Sequence, residues 1–230
     1  MKKRIFYSEI AYVLGIIILA VGTALMERAD YGVSMVVAPA YLIYLKLSSM
    51  FPFFTFGMAE YVLQGTLLLL MILILRKFRV SYLFSFVTAV LYGFTLDGAM
   101  WAVALIPGTG TAVRIVFYIL GLFACAVGVS LLFHTYISPE VYELWVKEMS
   151  RKTGIDIHKY KTGYDCVSCL IGILLSFCFF GFGRFEGVKL GTILCALVNG
   201  LTISLCTQQI EKVWEFRDGL PWRKYFESSL

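Results

Sequence analysis

Asp97 stands in Gly93-Phe-Thr95-Leu-Asp97-Gly98, well inside the apolar run Val80–Ile106. An ionisable side chain in such surroundings is expensive to keep and is a functional candidate by default. Its carboxylate suits a contact to a polar solute or the acceptance of a proton. The structural alternative is a hydrogen bond within the fold, or an ion pair with Arg114. Glu60 and Gln64 are spaced i, i+4 and share one helix face, so together they can line a polar path. Asp165 opens a later apolar run, and Asn199 sits beside Gly200 in the last one. Asp97, Glu60, Gln64, Asp165 and Asn199 are therefore the expected solute-binding set, although Asn199 serves equally as a bridge between helices. Glu27, Arg28 and Asp30 cluster where the first apolar run ends. They read either as a gate or as a solvated helix end.

Other chemistry has less support. Cys166-x-x-Cys169 at a helix start has the spacing of a redox pair, but no thioredoxin-like context surrounds it. Zinc would need further ligands, and His158 is the nearby one. Most of the six cysteines lie in apolar runs and read as small packing residues. Neither of the two histidines accompanies a Ser or Cys nucleophile motif, and His134 reads as an interfacial residue. Phosphate-loop and dinucleotide fingerprints are missing. The expectation is that the chain is not an enzyme and uses no metal and no cofactor. The net charge of +5 comes without a basic stripe or an aromatic reading surface, which argues against nucleic acid.

The elements that must position these residues are transmembrane helices. Sixty per cent of the residues are hydrophobic, 15 % are charged, and the mean hydropathy is +0.81. A soluble domain carries roughly a quarter charged residues. The surplus apolar surface is expected to face lipid. About six spans are expected, at Ile10–Met26, Gly57–Leu75, Val80–Ile106, Val113–Phe133, Cys166–Gly183 and Val188–Thr207. No small-residue cleavage site follows the first cleanly, so it reads as a retained span. Pro107-Gly108-Thr109-Gly110 reads as a turn.

With the N-terminus inside, fifteen of the twenty Lys and Arg residues fall on the inner side. The positive-inside rule therefore places both termini in the cytoplasm. Val33–Phe56, interrupted by Pro39, Lys46 and Pro52, reads as re-entrant or interfacial. Ser138–Gly154 reads as a helix along the inner face, with Glu140 suiting its positive N-terminal end. Residues 208–230, rich in Trp, Tyr and Phe, read as an interfacial tail or a docking surface for a cytoplasmic partner.

The chain also repeats itself. Tyr12, Gly15, Ala20, Val21 and Gly22 match Tyr118, Gly121, Ala126, Val127 and Gly128. Pro39 matches Pro139, Gly57 matches Gly163, and Ala89, Gly93 and Thr95 match Ala196, Gly200 and Thr202. The halves run over about 10–106 and 113–207 within a single transmembrane domain covering 1–230. Three spans per half is an odd number, so the second half enters upside down. The expected fold is an all-α membrane protein of two inverted three-helix repeats, with re-entrant or interfacial helices.

Gly22-Thr23-Ala24-Leu25-Met26, with Ala29-Asp30 and Gly32-Val33-Ser34 after it, resembles the YczE/YitT-like group of small bacterial integral membrane proteins. Lys161-Thr162-Gly163-Tyr164-Asp165, Gly191-Thr192 and Asn199-Gly200 carry the same resemblance. Met35 departs from it, because the group's pattern brings a proline soon after Gly-x-Ser. The resemblance implies a bacterial inner-membrane protein and fixes no substrate. The repeat points to a small secondary transporter of an unknown small solute. The alternatives are the substrate-binding subunit of a larger importer, docked through Ala20-x-x-x-Ala24, and a non-transporting scaffold or regulator. The expected partners are the lipid bilayer, the solute, and a second copy or a cytoplasmic protein.

Overall fold

A computed structural model describes residues 3–107, 110–223 and 226 of the chain. The helices are α1 (Ser8–Ala29), α2 (Ala38–Ser48), α3 (Phe56–Leu75), α4 (Val80–Ala104), α5 (Thr111–Phe133), α6 (Val141–Thr153), α7 (Ile157–Phe180) and α8 (Leu190–Val213). Six of them, all but α2 and α6, are long and apolar enough to cross a membrane, which makes the chain a multi-pass membrane protein. Apolar runs of this length become helices because a helix satisfies its own backbone polar groups where no water can. The large apolar residues on their outward faces, such as Leu73, Phe94, Trp101 and Leu197, are exposed and suit lipid contact.

Local chemistry sets the ends. The Thr55 hydroxyl accepts from the Met58 backbone N–H and caps α3. Arg76 then ends α3 in the left-handed region. Lys152 Nζ donates to the Ile74 carbonyl at 2.6 Å, which serves one of the orphaned acceptors of that helix end. Asp156 Oδ1 accepts from Lys159 N at 3.2 Å, so α7 starts at Ile157, well before the expected Cys166. Gly108 and Thr109 of the expected turn, and the side chain of His158, lie outside the described residues.

α1 and α5 cross at the centre as an antiparallel pair. A Cβ added at Gly22 would lie 2.7 Å from the Cys125 nitrogen and 2.8 Å from the Gly121 carbonyl. One at Gly128 would lie 2.7 Å from the Leu19 nitrogen and 2.9 Å from the Gly15 carbonyl. Gly15 faces Leu132 and the Gly128 carbonyl, and Gly121 faces Met26 and the Gly22 carbonyl. Without a hydrophobic drive between helices in lipid, close backbone approach at small residues is what holds such a pair.

α2 and α6 are short helices that begin beside the middle of a span. Ser168 Oγ, midway along α7, donates to the Met35 carbonyl just before α2. Gln64 Oε1, midway along α3, accepts from Val141 N at the start of α6. α6 therefore descends beside α3 instead of lying along the membrane face. Its buried side, with Val141, Tyr142, Leu144 and Met149, finds its apolar partners on α3 and α4.

α8 runs on to Val213, and β2 (Trp214–Arg217) pairs in parallel with β1 (Arg4–Tyr7). Glu9 at the start of α1 accepts from Gly219 N and Leu220 N at 3.0 and 2.9 Å, and from Tyr136 at 2.7 Å. The two ends of the chain are thereby tied together. The side bearing β1 and β2 is called near below, and the opposite side far.

Candidate functional site

α3 presents Glu60 and Gln64 one turn apart, both with 0 % of their surface exposed. The start of α6 brings Glu140 and Tyr142 against them. Gln64 Nε2 donates to Glu60 Oε2 at 3.1 Å and to Glu140 Oε2 at 3.2 Å. The Tyr142 hydroxyl donates to Glu60 Oε2 at 2.8 Å. One amide and one phenol thus hold two buried carboxyl groups together. Oε1 of Glu60 and Oε1 of Glu140 have no hydrogen-bond partner among the described residues. Each such atom costs about 1–3 kcal/mol.

Two opposing effects act on Glu140. The α6 N-terminus favours its anion by about 0.3–1 kcal/mol, at most about 2 in a partly buried setting. Removing an unpaired carboxylate from water costs several kcal/mol. Burial wins and, with Glu143 and Glu60 close by, pushes the Glu140 carboxyl well above the usual carboxylate range.

Glu140 lines a cavity of about 70 Å³ at the centre of the molecule. The starts of both short helices reach it, through Ser34 and Val37 before α2 and through Pro139 and Glu143 at α6. Thr23 and Tyr92, joined at 3.0 Å, form another part of its wall. Lys161, Asn199 and Ile203 line this cavity and also a cleft of about 770 Å³ between α7 and α8. The cleft holds Asp165 too, whose carboxylate faces Lys161 at 3.8 Å, too long for a hydrogen bond. The cleft and the cavity beside the buried acids thus share Lys161 and Asn199 in their walls.

The expected binding residues divide among three places. Glu60 and Gln64 meet at the centre, and Asp165 and Asn199 meet at the cleft. Asp97 lies at the far end of α4, where its carboxylate accepts from Gly57 N at 2.8 Å and Thr55 Oγ1 at 2.7 Å. It locks the start of α3. Its alternative partner is engaged elsewhere: Arg114 pairs with Asp30 at 2.9 Å and donates to the Ala29 carbonyl.

The cluster at the end of α1 joins several elements at the far side. Asp30, in the left-handed region, joins both Arg114 and Lys189 and so ties α1 to the starts of α5 and α8. Glu27 accepts from Tyr41, and Arg28 reaches the Ile106 carbonyl. Cys166 is exposed, Cys169 half-buried, and His134 pairs with Glu211 at 3.1 Å. Sequence reasoning missed Glu140 as a site residue because an acid at a helix start has an ordinary capping use. Its one signal is the apolar pattern Val141-Tyr142-x-Leu144 that follows, which buries that turn.

A family model described as a family of unknown function (DUF6198) matches residues 6–208, most of the chain. The chain belongs to that family. No curated protein and no solved structure matches it.

Proposed function

We propose that the chain is a small secondary transporter of a small solute, built from two inverted repeats and facing the cytoplasm in this structure. The repeat is supported by the α1–α5 crossing. Exchanging Gly15 with Gly121, Leu19 with Cys125, Gly22 with Gly128 and Met26 with Leu132 reproduces the same set of close contacts. An interface that maps onto itself is the mark of two-fold symmetry.

One observation carries the transport reading. Gly57 and Gly93 bring α3 and α4 into backbone contact, a Cβ on Gly57 lying 2.5 Å from the Gly93 carbonyl. Their repeat counterparts, Gly163 and Gly200, have nothing within 4 Å. The same glycine pair is thus closed in one half and open in the other, where the cleft lies. The chain between α7 and α8 links them at the far side, and the cleft reaches Lys161 and Thr162 at the near end of α7. Alternating access follows if α7 and α8 close while α3 and α4 part.

The positive-inside balance supports a cytoplasmic near side, and the resemblance to the YczE/YitT-like group supports a bacterial inner membrane. Kinship with the YczE/YitT-like group belongs to the same reading. Ala20 and Ala24 are buried in the chain's own core, so the face proposed for docking an importer module is already used.

Cysteines at 163 and 200, in a variant whose native cysteines are serine, test the movement. Oxidation is expected to cross-link them in liposomes and to stop solute exchange. Failure to cross-link under any solute gradient overturns the reading.

A further inference from the structure

We propose that Glu60 and Glu140, bridged by Gln64, form a proton-carrying site that exchanges with the near-side cleft by way of Glu143. This deepens the transport reading by naming its coupling ion, and rests on that reading only for the coupling itself.

The first ground is charge. Three carboxyl groups, Glu60, Glu140 and Glu143, meet at one buried place, and Asp165 adds a fourth at the cleft. The cation that faces them is Lys161 of α7, near Glu143 and 3.8 Å from Asp165. The other titratable groups facing the pair are weak acids: Tyr12 from α1, Tyr92 from α4, Cys125 from α5, Tyr142 from α6 and Tyr164 from α7. An amide bridges two carboxylates without neutralising them, and an uncompensated buried charge costs several kcal/mol.

The second ground is geometric. Both Oε1 atoms are buried acceptors without a donor among the described residues. A proton on either one removes one charge and turns a stranded anionic oxygen into a neutral hydroxyl. Only an O–H bond forms or breaks, and the proton comes from, and returns to, water in the cleft.

The third ground is the repeat. The counterparts of Glu60, Gln64 and Glu140 are Cys166, Leu170 and Ala40. The equivalent contact of α2 with α7 is closed by apolar groups, Gly172 lying against Ala38 and Leu42. The architecture therefore makes this contact without acids. Where acids are kept, packing does not require them.

Infrared spectroscopy of the full chain in liposomes, titrated at varied sodium concentration, tests the proposal. A protonated-carboxyl band is expected at about pH 7, far above an ordinary glutamate. It should titrate away at alkaline pH, vanish in Glu60→Gln and Glu140→Gln, and persist in Asp97→Asn. Absence of the band in the wild type overturns the site, as does a band unchanged in both glutamine variants. A band that appears only when sodium is withheld overturns it in favour of a metal cation. The wild-type titration needs no variant, so misfolding of one leaves the test intact. A titrating band with no solute exchange supports the site and removes the transport reading. Solute exchange without the band removes the site and keeps transport.

Discussion

At the scale of single residues, Asp97 and Glu140 show how similar side chains take opposite roles. Asp97 has its donors, and its geometry is that of a lock on the start of α3. Asp97→Ala should cost about 1–3 kcal/mol by stranding the Gly57 N–H and Thr55 hydroxyl. A lowered melting temperature with an unchanged carboxyl band checks this. One oxygen of Glu140, Oε1, lacks a donor among the described residues, and the folded carboxyl titrates above the unfolded value of about 4.3. The folded state then holds more protons than the unfolded one, so stability falls as pH rises from that value. Melting curves of the wild type should fall as pH rises above the unfolded value of about 4.3, and those of Glu140→Gln should be flatter. Equal slopes would remove Glu140 from the pH response.

At the scale of elements, glycines report which helix pairs are closed. Gly22→Val and Gly121→Val each force a side chain into backbone at the α1–α5 crossing. Overpacking typically costs about 1–3 kcal/mol, and contact with backbone places these two at or above the top of that range. Gly200→Ala meets open space, so the melting temperature should hold. If α7 and α8 close during transport, the same alanine should slow solute exchange, and unchanged exchange would count against closure at that position. α6 teaches a related lesson. Its sequence fits a surface helix, because Lys147, Arg151 and Lys152 gather toward one end. The contact of Val141 with Gln64 draws its first turn to mid-span depth.

For the whole molecule, the contrast lies between the closed contact of α3 with α4 and the open cleft between α7 and α8. At the far side Asp30 pairs with Arg114 and Lys189, and the cleft lies between α7 and α8. Asp30 is more than half exposed, so each of its ion pairs is worth about 1 kcal/mol or less. A clasp that must open gains from being weak. With the other native cysteines replaced by serine, Asp30→Asn should leave the fold intact and raise labelling from the far side of Cys125, which lines the central cavity. Unchanged labelling would mean that the clasp does not hold that side shut.

The sequence alone determined the class of the protein. Length, apolar composition and spacing settle six lipid-facing helices, since only such helices satisfy their backbone in hydrocarbon. The pairing of Glu60 with Gln64 was legible for the same reason, because helical periodicity is local. Their meeting with Glu140 was not. It joins segments 76 residues apart, between Gln64 and Glu140, and depends on how deep α6 sits. Asp97 carried the strongest local signal and proved to have its partners at Thr55 and Gly57, which no spacing announces. The open cleft at Gly163 and Gly200 was equally hidden. Matching sequence motifs imply matching structure, and only packing decides which copy of a contact is made and which is left apart.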